Sequence, residues 1–302
     1  IYMMKEKKHK SNFKFINFIL FPQERQKPEE YVQLLSTIFG KKIKIRTYGN
    51  RQTFITEFKQ IGHNYSGIIS SAIFVDPNSK VIDKNSYNIK TASIDPNDGI
   101  ELKQWTFYFF PKYHRLAIIS NCSFSQVIKF FHDAFLQILT LEDSFTVNVE
   151  TDRGVIDKII EAKGLTKLII NLSYSNNDNY DDWMNAIDTD IKDSGANHAQ
   201  FVFKSPKGKM IDLIKTKLIK AILMLSKSNG NAKATIKKAK GKAEIIDTNN
   251  HPKIARITYT DNPIAQLEEE TKLISENKDD ESETKDDESE TKDNESPMPA
   301  IH

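Results

Sequence analysis

The chain has 302 residues, of which 38% are hydrophobic and 28% are charged, and it contains eleven glycines and ten prolines. This length allows a sizeable core, and this composition excludes collagen-like, disulfide-stapled and wholly disordered proteins. The formal net charge of +2 hides an asymmetry, because residues 266–302 carry fourteen acidic and four basic residues, a net −10 against +12 for residues 1–265. Such an asymmetry points to an interaction tail or a basic binding surface.

The cysteine content and the apolar stretches bear on the compartment. Cys122 is the single cysteine, so neither an internal disulfide nor a zinc site built from several cysteines is possible. The apolar stretch over 15–21 is interrupted by Asn17 and ends at Pro22, which makes it too short for a membrane helix, and no cleavage site follows it. We therefore expect a soluble, cytoplasmic protein that does not associate with a membrane.

The first half of the chain predicts strands and two helices. A strand over 13–19 precedes a helix that starts at Pro28, where a proline and two acidic residues favour a helix start, and that ends at Gly40. Further strands are predicted at 42–48, 53–59, 66–75, 81–94, 102–110 and 115–120, as a mostly antiparallel meander. A second helix over 125–139 should cover one face of this sheet with an unbroken apolar stripe: Val127, Phe130, Phe131, Ala134, Phe135 and Ile138.

The second half alternates between strands and helices. Strands are predicted at 145–150, 166–172, 199–204, 232–238, 243–247 and 254–258, and helices at 154–162, 180–192 and 208–226. On the last helix an inward-facing stripe is predicted from Ile211, Ile214, Leu218, Ile222 and Leu225. Such alternation favours an α/β or a split βαβ sandwich. We predict an α+β protein in which residues 1–143 form an antiparallel sheet with helices and residues 144–265 form an alternating domain.

The end of the chain has a repetitive, acidic sequence. The segment DDESETK occurs at 279–285 and again at 286–292, and apolar residues are nearly absent after Ile274. Because such a segment cannot bury enough apolar surface to offset the entropy of ordering, we predict that residues 266–302 form a disordered tail. Two roles stay open for it: solubility and spacing, or competition with external anions for a lysine surface.

Four segments carry a resemblance to a known family. The chain resembles a bacterial domain of unknown function, the family numbered 4747, over about residues 12–260, in the segments YVQLLSTIFG, YSGIISSAIFV, IELKQWTFYFFPKYHRLAIIS and LTLEDSFTVNVE. The resemblance implies an accessory role in bacteria and on mobile elements, including defence against phage. It implies no reaction, and it supplies no catalytic residues.

The clearest functional signal is a run of lysines. Between Lys204 and Lys242 there are twelve lysines and one acidic residue, Asp212. Nucleic acid favours such a surface because each neutralised phosphate releases a counterion, whereas the lack of arginine weakens the reading of base sequence. We predict binding of nucleic acid or another polyanion, with low sequence specificity, through these residues: Lys204, Lys207, Lys209, Lys217, Lys220, Lys227, Lys233, Lys237, Lys238 and Lys240. The alternative is a solvated lysine surface without a ligand.

Aromatic residues alternate with basic ones in the segment WTFYFFPKYHR, which begins at Trp105. Aromatic rings beside cations are used to stack on single-stranded bases, but a strand with this pattern is more often part of a core. We favour the core interpretation.

Two further functions stay as alternatives. In DPNDGIELK, Asp95, Asp98, Glu101 and Lys103 have the residue types of a metal-dependent nuclease site, although a plain acidic turn explains them better. The other alternative is a protein-interaction subunit that joins the product of a neighbouring gene. The sequence contains no phosphate-binding loop, dinucleotide fingerprint or serine-hydrolase motif, and we predict no cofactor and no metal site.

Overall fold

The computed structural model describes residues 8–76, 78–92, 95, 97–140, 144–175, 181–238 and 242–276. These residues form two larger antiparallel sheets, a short separate hairpin and the helices that pack on the sheets. The architecture confirms the predicted α+β fold class.

The elements follow the predicted order closely. The first half contains β1 (His9–Phe21), α1 (Pro28–Gly40), β2 (Ile45–Arg46), β3 (Arg51–Ile61), β4 (Asn64–Phe74), β5 (Lys80–Ile82), β6 (Ile89–Thr91), β7 (Gly99–Phe110), β8 (Arg115–Ile119) and α2 (Phe124–Ile138). The second half contains β9 (Ser144–Val149), α3 (Arg153–Ile160), β10 (Leu165–Ser173), α4 (Asp182–Asp193), β11 (His198–Lys204), α5 (Lys217–Asn229), β12 (Gly230–Lys237), β13 (Ala243–Asp247), β14 (Ile254–Tyr259) and α6 (Ile264–Ser275).

The first sheet has eight strands in the order β14-β1-β8-β7-β4-β3-β2, with β9 also paired to β1. Helices α1 and α2 cover one face, and the predicted stripe of α2 is buried there apart from the partly buried Ile138. The strand predicted over 81–94 is wrong: β5 and β6 form a separate hairpin. The chain turns back between them because the Asp83 carboxylate accepts the backbone N–H groups of Asn85 and Ser86.

Helix α6 covers the opposite face of the first sheet. Leu267, Thr271 and Ile274 recur at helical spacing and are buried, and the two apolar side chains pack among residues of β1 and β14. The prediction of disorder from residue 266 onward is therefore wrong for residues 266–275. Three inward positions in two turns were enough to bury the helix, although its outer positions are acidic. The repeats at 279–292 lie outside the described residues.

The second sheet has four strands in the order β11-β10-β12-β13, and every pairing is antiparallel. Strands β11 and β12 lie on either side of β10 and therefore run parallel to each other, and α5 connects them along the chain. This is a split βαβ arrangement, one of the two alternatives that the alternation predicted. Helices α3, α4 and α5 pack on one face of the sheet around a core of aliphatic side chains.

Helix α5 begins nine residues later than predicted, because the segment before it is held in turns. Gly208 has a positive φ of 81°, the Asp212 carboxylate accepts the N–H of Ile214, and the N–H of Ile211 donates to the carbonyl of Leu165 at the start of β10. As a result, the predicted inward positions Ile214 and Leu218 are 64% and 51% exposed, whereas Ile222 and Leu225 are buried as predicted.

A buried polar cluster ties the two sheets together. Arg115 of β8 donates from Nε to Oε1 of Glu150 over 2.7 Å, and the Ser228 hydroxyl of α5 donates to Oε2 of Glu150 over 2.6 Å. The amide of Asn17 on β1 donates to the carbonyl of Ser228 and to the side chain of Asn229. We call these five residues the buried centre. Since β9 and β14 pair with β1, the predicted boundary at 143/144 does not separate the two sheets.

Candidate nucleic-acid interface

One face of the second sheet carries no helix among the described residues. Along each strand, alternate side chains point either into the helix-covered core or onto this other face, as the period of a strand requires. Val202 and Ile245 lie on it and are 46% and 61% exposed. We call it the open face, and its residues are Lys167, Ile169 and Asn171 of β10, Gln200, Val202 and Lys204 of β11, Asn231, Lys233, Thr235 and Lys237 of β12, and Ala243, Ile245 and Asp247 of β13.

One end of the open face concentrates positive charge. Lys167 lies directly opposite Lys204 in the register of β10 and β11, and Lys237 lies at the same end of β12. Like charges directly opposite each other destabilise a sheet. Among the described residues no carboxylate is within ion-pair distance of Lys167, Lys204 or Lys237. We call Lys167, Lys204 and Lys237 the cationic end.

The ten predicted lysines do not form one surface. Lys204, Lys233 and Lys237 lie on the open face, and Lys207 and Lys209 are exposed in the segment that follows β11. Lys217 and Lys220 lie on α5, which packs against the opposite face of the same sheet. Lys240 lies outside the described residues. The structure therefore brings together only part of the predicted set.

The prediction that Lys227 is a surface residue is wrong. This lysine is 1% exposed and lies in the last turn of α5, where Ser226, Ser228 and Asn229 are buried as well. Its backbone carbonyl accepts the N–H of Thr151, which fixes the helix end beside the segment after β9. Because α5 ends against the first sheet instead of in solvent, every side chain of its last turn is enclosed.

Two other predicted lysines form ion pairs with neighbouring carboxylates. Lys238 Nζ lies 3.0 Å from Glu244, which also pairs with Lys158 at 2.9 Å. The hydrogen bonds from Lys158 and then Lys238 hold the pKa of the Glu244 carboxyl below its usual value. Lys233 Nζ lies 3.7 Å from Asp247. These pairs leave Lys204, Lys237 and their neighbour Lys167 as the strongest uncompensated positions on the open face.

A row of amides crosses the other end of the open face. Gln200 donates from Nε2 to Oδ1 of Asn171 over 2.7 Å, and Asn171 donates from Nδ2 to Oδ1 of Asn231 over 2.9 Å. Neither Gln200 Oε1 nor Asn231 Nδ2 has a further hydrogen bond within the described part of the chain. The row therefore presents one amide acceptor and one amide donor, which are the groups that recognise the polar edges of nucleobases.

The amide row borders a cleft between the second sheet and helix α2. The cleft has a volume of about 730 Å³, and a smaller pocket of about 320 Å³ continues it over Asn171 and Asn231. Asparagines are prominent among its polar lining residues, from β9, β12 and the turn after β13: Asn148, Asn231, Asn249 and Asn250. We call it the amide cleft, and its contact with Asn231 makes it continuous with the open face.

Helix α2 contributes charged groups to the amide cleft. Lys129 and His132 both hydrogen-bond Asp133, with 3.0 Å between His132 Nδ1 and Asp133 Oδ1. Partial burial opposes ionisation of Asp133, but these two partners hold the pKa of its carboxyl below its usual range. Across the cleft, the Lys14 ammonium lies 5.3 Å from the centre of the Phe124 ring. The cleft thus offers a cation and an aromatic ring beside its amides.

The acidic residues considered for a nuclease site are not assembled into one. Asp95 and Asp98 lie in an exposed turn, Lys103 is exposed on β7, and Glu101 forms an ion pair with Arg51 at 2.8 Å. Arg51 also donates to the Glu101 carbonyl, so the guanidinium holds this carboxylate at the sheet. Within the described ranges, no three histidine, cysteine, aspartate or glutamate side chains are grouped so that they could hold a metal ion.

The aromatic segment that begins at Trp105 belongs to the core. Trp105 is 6% exposed, and Phe107, Phe109 and Phe110 are fully buried. The core interpretation of this segment is confirmed, and these rings are not accessible to a base.

Sequence reasoning missed Lys167 and the amides Asn148, Asn171, Asn231 and Gln200. A signal for some of them was present, since polar residues alternate with apolar ones along β12 in the segment NAKATIK, and Lys167 and Asn171 share one face of β10. The alternation shows which residues share a face of one strand. It does not show that β10 pairs with both β11 and β12, and this pairing is what aligns the amides and the lysines.

The family relationship agrees with the resemblance seen in the sequence. Residues 9–275 match the family model described as Domain of unknown function (DUF4747), so the chain belongs to this family. No curated protein matches the chain. In the part of the chain that the structure describes, every helix lacks the length and apolar character needed to cross a bilayer.

Proposed function

We propose that this member of the DUF4747 family binds single-stranded nucleic acid across the open face, with low sequence specificity and without catalysis. The observation that carries the proposal is the pair Lys167 and Lys204, which face each other across β10 and β11 without a compensating carboxylate among the described residues. A sheet gains stability if such a pair binds an anion, because the anion removes the repulsion between the two ammonium groups.

The lysines account for the contact with phosphates. Lys167, Lys204 and Lys237 lie at one end of three neighbouring strands, which are about 4.8 Å apart in a sheet. A phosphate backbone that crosses these strands would meet an ammonium group on each of them and would release counterions as it binds. This contact does not distinguish one base sequence from another, which agrees with the absence of arginine from 204–242.

The remainder of the open face accounts for the preference for single strands. Val202 and Ile245 expose apolar surface that unpaired bases or sugars can cover, and Asn171 follows Lys167 on the same face at about 13 Å along β10. Bases in a single strand can turn their edges toward the amide row, whereas the edges in a duplex are confined to its grooves. The amide cleft then provides space for one or two bases beyond the row.

Nothing in the geometry favours the other two functions. Among the described residues, the acids considered for a nuclease site are not grouped, and the edges of the described sheets point to no particular protein partner. A role in defence against phage stays a prediction from the family resemblance.

A titration with fluorescently labelled single strands, one DNA and one RNA, tests the proposal. At about 50 mM salt both strands should bind, and the affinity should fall steeply by about 200 mM salt, because phosphate contacts depend on counterion release. The full-length double variant Lys167→Glu/Lys204→Glu should bind far more weakly and should lower the slope of log affinity against log salt by about two.

The matched control is Lys80→Glu/Lys84→Glu, which changes the net charge equally but lies on the β5–β6 hairpin. It should retain nearly all of the affinity. If the wild-type chain binds neither strand at about 50 mM salt, where phosphate contacts are strong, or if both double variants lose affinity equally, the open face is not a nucleic-acid site.

A further inference from the structure

A second surface with both apolar and basic character lies on the helix side of the second sheet. A groove of about 720 Å³ runs between the start of α4 and helix α5. Its apolar wall includes Trp183, Met184, Ile214 and Met224. Its charged lining residues are Arg153, Asp181, Lys217, Lys220 and Glu276, of which Arg153 is paired with Asp157 at 3.0 Å. It lies on the opposite side of the sheet from the open face, so a ligand in it does not block the open face.

Large apolar side chains in this groove are exposed to solvent. Among its lining residues, Trp183 is 51% exposed and Ile214 is 64% exposed. Exposed apolar side chains that are grouped together and bordered by polar residues are typical of interaction sites. No described carboxylate forms an ion pair with Lys217 or Lys220, although Asp181 and Glu276 line the same groove.

The described part of the chain ends at this groove. Glu276, which follows the last residue of α6, lines it together with Lys217 and Lys220. The residues that come next, 277–302, include ten acidic and three basic residues, and the acidic ones are spread from Asp279 to Glu295. The acidic segment of this protein therefore follows directly on a groove that contains two lysines without an ion-pair partner among the described residues.

The geometry points to the acidic segment 279–295 of this same chain as the occupant of the groove. The first of these residues follows Glu276 by only three positions. Because the connection is so short, the effective concentration of the acidic segment at the groove is high. In this assignment the carboxylates of the segment would contact Lys217 and Lys220, and the segment would cover part of Trp183. This assignment differs from competition at the lysines of the open face, which lie on the other side of the sheet.

Quenching of tryptophan fluorescence by acrylamide tests the assignment in the full-length chain. The protein has two tryptophans, and Trp105 is buried, so the quenching reports chiefly on Trp183. At low salt the wild-type chain should be protected. Replacing the ten acidic residues from Asp279 to Glu295 with asparagine or glutamine should raise the quenching constant about twofold, because the segment then no longer covers Trp183. In the wild-type chain the tether keeps these contacts populated even though each one is weak. Salt at about 0.5 M should raise the quenching constant similarly by screening the charges.

Charge reversal locates the contact. The double variant Lys217→Glu/Lys220→Glu should lose the protection of Trp183 in the otherwise unchanged chain, whereas Lys204→Glu/Lys207→Glu on the other side should keep it. Circular dichroism of each variant verifies that its fold is intact, and Trp183→Phe should abolish the salt-dependent signal. The assignment is overturned if neutralising the acidic residues leaves the quenching unchanged, or if reversal at Lys204 and Lys207 releases the segment instead.

Discussion

The buried centre and the cationic end use charge in opposite ways. In the buried centre, Arg115 and Glu150 are both fully buried and their side chains bond each other at 2.7 Å. At the cationic end, Lys167 and Lys204 face each other with the same sign, and Lys204 is exposed. In the buried centre each charge has a partner of opposite sign. At the cationic end the two ammonium groups repel each other, and a bound anion would reduce this repulsion.

The difference shows how position decides what a charged residue does. Removing a charge from water has a cost that only a well-placed partner offsets, so a buried pair becomes essential to the fold once it exists. A surface lysine keeps its hydration and affects stability little, which leaves it available for binding. We therefore expect substitutions in the buried centre to change the free energy of unfolding, and substitutions at the cationic end to change binding.

The largest expected effect comes from Glu150→Gln. This change leaves the Arg115 guanidinium buried without its anion, which typically costs about 3–5 kcal/mol of stability. Urea denaturation followed by circular dichroism measures it. The control Glu57→Gln removes half of the exposed Lys59–Glu57 pair and should cost less than about 1 kcal/mol. Equal losses in the two variants would show that the buried centre contributes no more than a surface ion pair.

A smaller effect of opposite sign is expected at the cationic end. Lys167→Glu turns a pair of like charges into an ion pair with Lys204, which should stabilise the protein by about 0.2–1 kcal/mol. The same variant should bind nucleic acid more weakly, so stability and binding change in opposite directions. Lys209→Glu, in the segment after β11, is the control and should leave the melting temperature unchanged. A loss of stability in Lys167→Glu would contradict the repulsion between the two lysines.

The smallest effect concerns Glu244, which decides how available Lys238 is. Because hydrogen bonds from Lys158 and Lys238 lower the folded-state pKa of its carboxyl, the group adds stability above its ordinary pKa of 4.5. That contribution is lost as the pH falls through the lower folded value. Carbon-detected NMR titration should find the pKa of Glu244 below 4.5, and Lys238→Gln should move it upward. An unshifted pKa in the wild-type chain would contradict the hydrogen bonds from Lys158 and Lys238 to Glu244.

Local sequence patterns predicted most of the elements but not all of their limits. The stripe of α2 and the alternation in β10, β11 and β12 involve residues close together in the chain, so they were readable from spacing alone. The prediction placed the start of helix α5 too early, because Ile211 and Ile214 continue its helical spacing toward the N-terminus. The hydrogen bond from Ile211 to the carbonyl of Leu165 joins residues 46 positions apart and could not be read from that spacing.

The candidate site was only partly predictable for the same reason. Composition identified the excess of lysine, yet Lys227 became a buried residue because the end of α5 meets β9 and β10 of distant sequence. The amide row joins residues from three strands, and no local pattern aligns Gln200, Asn171 and Asn231. Register between strands sets both the row and the opposition of Lys167 to Lys204.

The order of the strands and helices, the separation of a basic body from an acidic end and the membership of the family followed from the amino-acid sequence alone, because each depends on residue types and their spacing. Only the tertiary structure decided which lysines are exposed, which are paired and which share a face with the amides. These properties arise from contacts between residues far apart in the chain, where burial and the distance to the nearest carboxylate determine what a charge can do.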